Sequence, residues 1–282
     1  MKLKITKSTT YNYAEPVSFS PHYVRVFPRT DLFTKIESIS FCTAASADIQ
    51  YRQDLFDNII AYCFYPTASA TLPFHLEMVI DVKERDPFHF LLDSNGLNIP
   101  PQYRPEEERL LAPYLAPEAG CSLPQPIAPC ASRPTVETLV NFNHWIHEHI
   151  TYEYRHEGQP HTPQETLAKG SGSCRDMAAL LIEALRQNGV AARLASGFVW
   201  EGDKPDKDKR SASSMHIWVE ACLPGAGWIG MDPTNGVLTD NHFIVTAVGR
   251  NHSDVAPISG AYYSDSHVPS QMNTSVRVEK VA

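Results

Sequence analysis

Three residues of this chain could carry out nucleophilic chemistry together: Cys174, His216 and Asp232. Cys174 lies in Gly170-Ser171-Gly172-Ser173-Cys174-Arg175-Asp176, where a small-residue turn runs into an Ala/Leu-rich stretch closed by Asn188-Gly189. Ser173 followed three residues later by Asp176 is a capping-box-like pattern, so Cys174 is expected as the first helical residue. Its sulfur would sit beside unpaired backbone N–H groups at the positive end of the helix dipole, an environment that favours a thiolate. The preceding small residues would let substrate and backbone approach closely. His216 opens His216-Ile217-Trp218-Val219-Glu220, and Asp232 follows in Met231-Asp232-Pro233-Thr234. A nucleophile, a base and a carboxylate that orients the base are the parts needed for covalent acyl transfer.

Each residue has a simpler reading when taken alone. Cys174 would be a structural cysteine, His216 a satisfied strand histidine, and Asp232 the start of an Asp-Pro turn. The hairpin between the last two supplies a discriminating expectation. Strand side chains alternate faces, so His216 and Asp232 share a face only if paired positions sum to an even number. A two- or four-residue loop centred on Gly225-Ala226 gives an odd sum and opposite faces. The constellation therefore requires an odd-length loop or a bulge, which Gly225 and Gly227 would permit.

An oxyanion hole needs donors beside the attacked carbonyl. The backbone N–H of Cys174 is the first candidate, and Tyr154, ahead of Tyr152 and Gln164, is the side-chain candidate. The cluster His144-Trp145-Ile146-His147-Glu148-His149 lacks the histidine pair at i and i+4 of H-E-x-x-H zinc sites, so a solvated helix end is expected there. The charged run Glu201 to Arg210 lies just before His216; it reads as a solvated hairpin loop or, more sharply, as a rim facing the substrate.

These groups need a scaffold. Residues 1–95 read as short alternating strands (Leu3-x-Ile5, Tyr11-x-Tyr13, Tyr23-x-Arg25-x-Phe27, 36–41, 59–65, 76–82) and predict an antiparallel β-sandwich. Residues 96–133 are proline-rich and read as a linker packed along the surface, with a short helix near 106–114. Residues 134–282 read as the core with its carboxy-terminal tail: a helix over 135–150, a strongly apolar central helix from Cys174 to a C′ residue at Gly189, then strands at 191–200, 216–223, 228–232 and 243–248. Helices first and strands after, without βαβ alternation, predict an α+β domain built on an antiparallel sheet.

Composition is that of a globular protein: 282 residues, 43% hydrophobic, 20% charged. The net charge of −8 and the lack of basic blocks interleaved with aromatics argue against nucleic acid as a partner. The opening Met1-Lys2-Leu3-Lys4-Ile5-Thr6-Lys7 shows no apolar leader run, and no stretch approaches the ~18 apolar residues of a membrane span. A cytoplasmic protein with reduced cysteines is expected, none of the six falling in a C-x-x-C pair. Cys42, Cys63 and Cys222 sit among apolar strand residues and are expected to be buried, whereas Cys121 and Cys130 lie in the proline-rich segment.

Taken together, Gly172-x-Cys174-x-Asp176, Gly189-Val190-x-x-Arg193, Gly197-Phe198, His216-x-Trp218, Trp228-x-x-x-Asp232-Pro233-Thr234 and Gly249-Arg250 resemble the bacterial transglutaminase-like family of papain-like Cys-His-Asp enzymes. Tyr11-x-Tyr13, Pro28-Arg29 and Asp54-Leu55-Phe56-Asp57-Asn58 are similar to the β-rich domain that often precedes that core. Where Asp57 stands the family more often carries glycine. The resemblance implies a transglutaminase-like core and attack by Cys174 on an amide or peptide carbonyl of a peptide or protein substrate. His216 would act as base and Asp232 as its orienter, with no metal or organic cofactor. Hydrolysis is favoured over acyl transfer to an amine. A binding module without catalysis is the reading from a different class, and retention of all three residues argues against it.

Overall fold

The computed structural model describes residues 1–29, 31–155, 158–202 and 214–281. The chain begins with β1 (Lys2–Phe19), β2 (His22–Val24), β3 (Thr34–Cys42), β4 (Asp48–Gln53), β5 (Ile59–Phe64) and β6 (Ser69–Val82). The alternation expected at Leu3-x-Ile5 and Tyr11-x-Tyr13 belongs to one strand, not two. Buried Leu3, Ile5, Lys7 and Thr9 alternate with half-buried neighbours along β1, which bulges out of register with β6 between Asn12 and Val17.

The proline-rich segment carries α1 (Pro105–Leu115), after which come α2 (Thr135–His149), β7 (Thr151–Tyr152), α3 (Pro163–Lys169), β8 (Ser171–Gly172) and α4 (Cys174–Gln187). The core sheet is formed by β9 (Ala192–Val199), β10 (His216–Leu223), β11 (Gly227–Asp232), β12 (Val237–Leu238) and β13 (Phe243–Gly249), in the order β12-β11-β10-β9-β13, all antiparallel. Helix α4 packs on this sheet and buries Met177, Ala178, Leu180, Leu181, Ala184 and Leu185 completely. The expected α+β core is present. The proline-rich segment, expected as a linker, contributes Ile99, Leu123 and Ile127 to the same hydrophobic cluster and is part of the core.

The chain then turns back. After α5 (His252–Val255), β14 (Ile258–Ser259) pairs with β2, β15 (Tyr262–Tyr263) with β1, and β16 (Ser270–Lys280) with β1 over eleven positions from Leu3↔Lys280 to Tyr13↔Ser270. Residues 258–280, expected as a tail of the core, complete the sandwich instead. Sequence alternation could not assign them, because a strand's period reports that one face is buried and not which sheet it joins. Cys42 also departs from expectation: it is exposed, at the end of edge strand β3, while Cys63 is buried.

Sandwich and core share side chains. Phe198 and Ile244, from β9 and β13, are buried in the hydrophobic cluster of the sandwich. Asn58 is fully buried, and its amide donates to Val248 O and accepts from Val248 N, both at 2.8 Å, as a strand neighbour would. Asp54 orients that amide through Asn58 Nδ2 at 3.0 Å and also accepts from the backbone N–H groups of Phe56 and Asn58. Asp57 between them has φ 60°, which explains a preference for glycine at that position. Replacing Asn58 by Ala orphans both backbone groups of Val248. The expected cost is about 2–3 kcal/mol of stability, read as a lower midpoint in denaturant unfolding with an unchanged slope. An unaltered midpoint would show that the bridge contributes nothing.

Candidate active site

Cys174 is the first residue of α4, as its sequence context predicts. Ser173 precedes it in extended conformation, and Asp176 reaches back to accept from Ser173 N at 2.7 Å and from Ser173 Oγ at 2.8 Å. Gly172 is required by that approach: a Cβ there would lie 2.8 Å from Asp176 Cβ. Asp176 is itself a hub. It also receives Arg155 Nη2 on both oxygens, at 2.7 and 2.8 Å, and the His161 backbone N–H at 2.7 Å. Burial raises its pKa, but the Ser173 and His161 donors and the Arg155 charge outweigh that and hold it below the usual carboxylate range. A charged Asp176 thus locks the turn that presents the sulfur. The capping role was legible in the sequence; the Arg155 partner, twenty-one residues upstream in an irregular segment, carried no signal.

His216 is the first residue of β10, paired with Gly197 on β9. The β10–β11 hairpin pairs Val219 with Met231 and Leu223 with Gly227. Paired positions therefore sum to an even number, and the loop is the three residues Pro224, Gly225 and Ala226. Positive φ at Gly225 and Gly227, 86° and 72°, closes it. His216 and Asp232 consequently share a face, and His216 Nε2 meets Asp232 Oδ2 at 2.9 Å. Both are sealed from water, with exposures of 1% and 0%.

Asp232 accepts further from Thr234 N at 2.9 Å and Asn235 Nδ2 at 2.6 Å. One side chain thus makes both sets of contacts: Oδ1 closes the Asp-Pro turn while Oδ2 holds the histidine. Burial raises the Asp232 pKa, and the His216 charge and the three donors reverse that to a net lowering. Burial depresses His216, but the charge and hydrogen bond of Asp232, followed by those of Cys174, lift it well above its ordinary value. Nε2 being engaged, Nδ1 is the nitrogen left for the Cys174 sulfur. The Trp218 ring lies against the imidazole at 6.2 Å and 26°.

Cys174 and His216 line one cleft of about 270 Å³. Tyr152 and Tyr154 line it too, the former held beside Gly172 by the parallel β7–β8 pairing. Gln164 is elsewhere, accepting from Ser122 N. The histidine cluster serves helix α2: His147 Nδ1 lies 2.9 Å from Thr234 O, buttressing the Asp232 turn, and His149 stacks on Trp145 at 4.4 Å. The charged run expected as a rim lies, from 203 onward, outside the described residues.

Comparison with known proteins fits this geometry. Residues 123–233 match the Transglutaminase-like superfamily, and residues 3–81 match the Bacterial transglutaminase-like N-terminal region. The chain thus carries a transglutaminase-like core behind a bacterial transglutaminase-like N-terminal region. Uncharacterised proteins of Mycobacterium bovis and Mycobacterium tuberculosis are each 29% identical over 298 aligned positions, covering 94% of this chain and 88% of theirs. A crystal structure from Cytophaga hutchinsonii, of a protein provisionally described as a cysteine protease, has the same fold. Its TM-score is 0.71 at 18% identity, covering 100% of this chain and 92% of that one. Among the described residues no helix is long and apolar enough to cross a membrane.

The paired shifts define a pH window. His216, raised in the folded state, contributes stability that is complete below its unfolded pKa of about 6.5 and fades as pH rises through the folded value. Asp232, lowered, contributes stability present above about pH 4 and lost on acidification through its folded value. The stability margin of the natural protein over Asp232→Asn should therefore be widest between about pH 4.5 and 6.5 and shrink on either side. Melting curves of the two across pH 3–9 check this; a flat difference would mean that the pair is not ionised.

Proposed function

We propose that the protein is a thiol-dependent amide or peptide hydrolase in which Cys174 is the nucleophile, His216 the acid–base and Asp232 the orienting carboxylate. The observation that carries this reading is the His216 ring, anchored by Asp232 and raised in basicity by Asp232 and Cys174 together. In this cycle the Cys174 proton passes to His216 Nδ1, giving a thiolate–imidazolium ion pair. The thiolate adds to the substrate carbonyl, and the resulting oxyanion lies beside the Cys174 backbone N–H at the start of α4, with the Tyr154 hydroxyl as the second donor. Collapse breaks the C–N bond while His216 delivers its proton to the leaving amine. The thioester is then attacked by water, which gives a proton back to His216. Expulsion of the thiolate releases a carboxylic acid and restores the ion pair. An amine in place of water would make the same site a transglutaminase. The six free thiols support a reducing, cytoplasmic setting.

Two measurements test the reading. Iodoacetamide near pH 6 should modify Cys174 first, ahead of the more exposed Cys42, because only Cys174 sits at a helix start beside a protonated imidazole. Burial pushes Cys63, Cys121 and Cys222 up to about 11. Mass mapping that finds Cys174 untouched in folded protein would count decisively against it.

Turnover is screened on peptides and glutamine-containing proteins, with and without added amine. Cys174→Ala should abolish it, and Asp232→Asn should reduce it about 10²–10⁴-fold while melting as a folded protein. Near-normal turnover by Asp232→Asn would reduce Asp232 to a turn residue. Product incorporating the amine in preference to hydrolysis would assign the acceptor to the amine.

A further inference from the structure

The wall of the cleft facing Cys174 comes from the sandwich, and it contains a lysine where the strand pattern calls for an apolar residue. Lys7 follows Leu3 and Ile5 on the buried face of β1 and is 6% exposed. Its ammonium donates to Thr9 Oγ1 at 3.0 Å and Thr274 Oγ1 at 3.5 Å. Two of its three donors are thus placed, and neither partner carries charge. Burial alone depresses it, to about 8, with no carboxylate offsetting the loss. A buried cation without a counterion is costly and is rarely retained for stability. Lys7, Thr9 and Thr274 line the cleft that holds Cys174 and His216.

The other described charged residues of the lining besides the reacting pair are Arg155 and Arg175. Arg155 is bound to Asp176, while among the described residues Arg175 donates to the carbonyls of Gly158 and Arg155. No carboxylate lines the cleft among the described residues, in a chain whose net charge is −8.

We propose that Lys7, with Thr9 and Thr274, is a carboxylate-binding subsite that selects substrates bearing an anionic group within one or two residues of the attacked carbonyl. The proposal rests on the hydrolase reading for what happens to the bound molecule, but binding itself needs only the cleft. A carboxylate supplies the missing counterion and takes the third ammonium proton, and the two hydroxyls can turn to donate to it. Lys7 and Cys174 line the same cleft, so a group held at this wall shares it with the sulfur. The carboxylate has two sources, a free peptide terminus or an acidic side chain.

The test uses the Cys174→Ala protein, so that binding is read without turnover. Calorimetry compares pools of N-acetyl dipeptides with a free terminus against the same pools amidated, and amidated pools carrying Glu against Gln. At least one carboxylate member should bind about tenfold or more tightly than its neutral match, and which pair does so names the source. Adding Lys7→Met should erase that preference while leaving neutral pools within twofold. It should also raise the melting temperature, because an unpaired buried charge has gone. Equal affinity within every pair, binding by neither member of any pair, or a preference that survives Lys7→Met would overturn the proposal. Failure of the hydrolase reading looks different: the carboxylate preference persists, yet protein with Cys174 intact turns over none of the peptides it binds.

Discussion

A histidine and an aspartate, both cut off from water, hold each other at 2.9 Å, and much of the core can be understood as what that pair demands. Ionised groups at such depth are tolerated only if every lone pair and proton is engaged. Asp232 meets this with His216 on one oxygen, Thr234 N on the other, and Asn235 shared onto the first. His147, from the far helix α2, braces the turn that carries those donors. The three-residue loop of the β10–β11 hairpin is the geometric counterpart of this electrostatic need. One residue more or fewer would send the two side chains to opposite faces.

A second buried carboxylate, Asp176, does the complementary work at the other side of the cleft. It pulls the Ser173 turn onto the first turn of α4 and is neutralised by Arg155. Two charged hubs therefore fix two rigid bodies, a helix start and a sheet hairpin. Cys174 on the first body and His216 on the second line the same cleft. For the proposed acyl transfer that division matters, since proton exchange between sulfur and imidazole tolerates small positional error poorly.

Much of this was legible in the sequence, for identifiable reasons. Helix α4 announced itself through its cap, its apolar face and its closing glycine, all of which are local. The even pairing sum was not asserted by the sequence but demanded by the chemistry, and the glycines at 225 and 227 were the local features able to satisfy it. What stayed hidden was non-local. Nothing near Arg155 points to Asp176, and nothing in the alternation of Ser270–Lys280 points to a partner at Leu3–Tyr13. Proline density suggests a linker, although Ile99, Leu123 and Ile127 lie among the prolines and are buried. Nothing in the alternation of the opening strand marks Lys7 as buried; its burial depends on β16 and on the core standing opposite.

That last dependence ties the sandwich to the chemistry. Thr9 on β1 and Thr274 on β16 are register partners, and their hydroxyls lie 2.9 Å apart while both serve the Lys7 ammonium. The cleft wall facing the sulfur is thus built from segments some 270 residues apart in sequence, a pairing whose loop-closure cost is repaid only once the intervening core has folded. Asn58 acts in the same sense from the other edge, joining the sandwich to Val248 through backbone groups that no side-chain substitution on β13 can remove. The sandwich is therefore not an appendage to a self-sufficient core. It supplies one wall of the cleft and a buried cation that lines it together with Cys174.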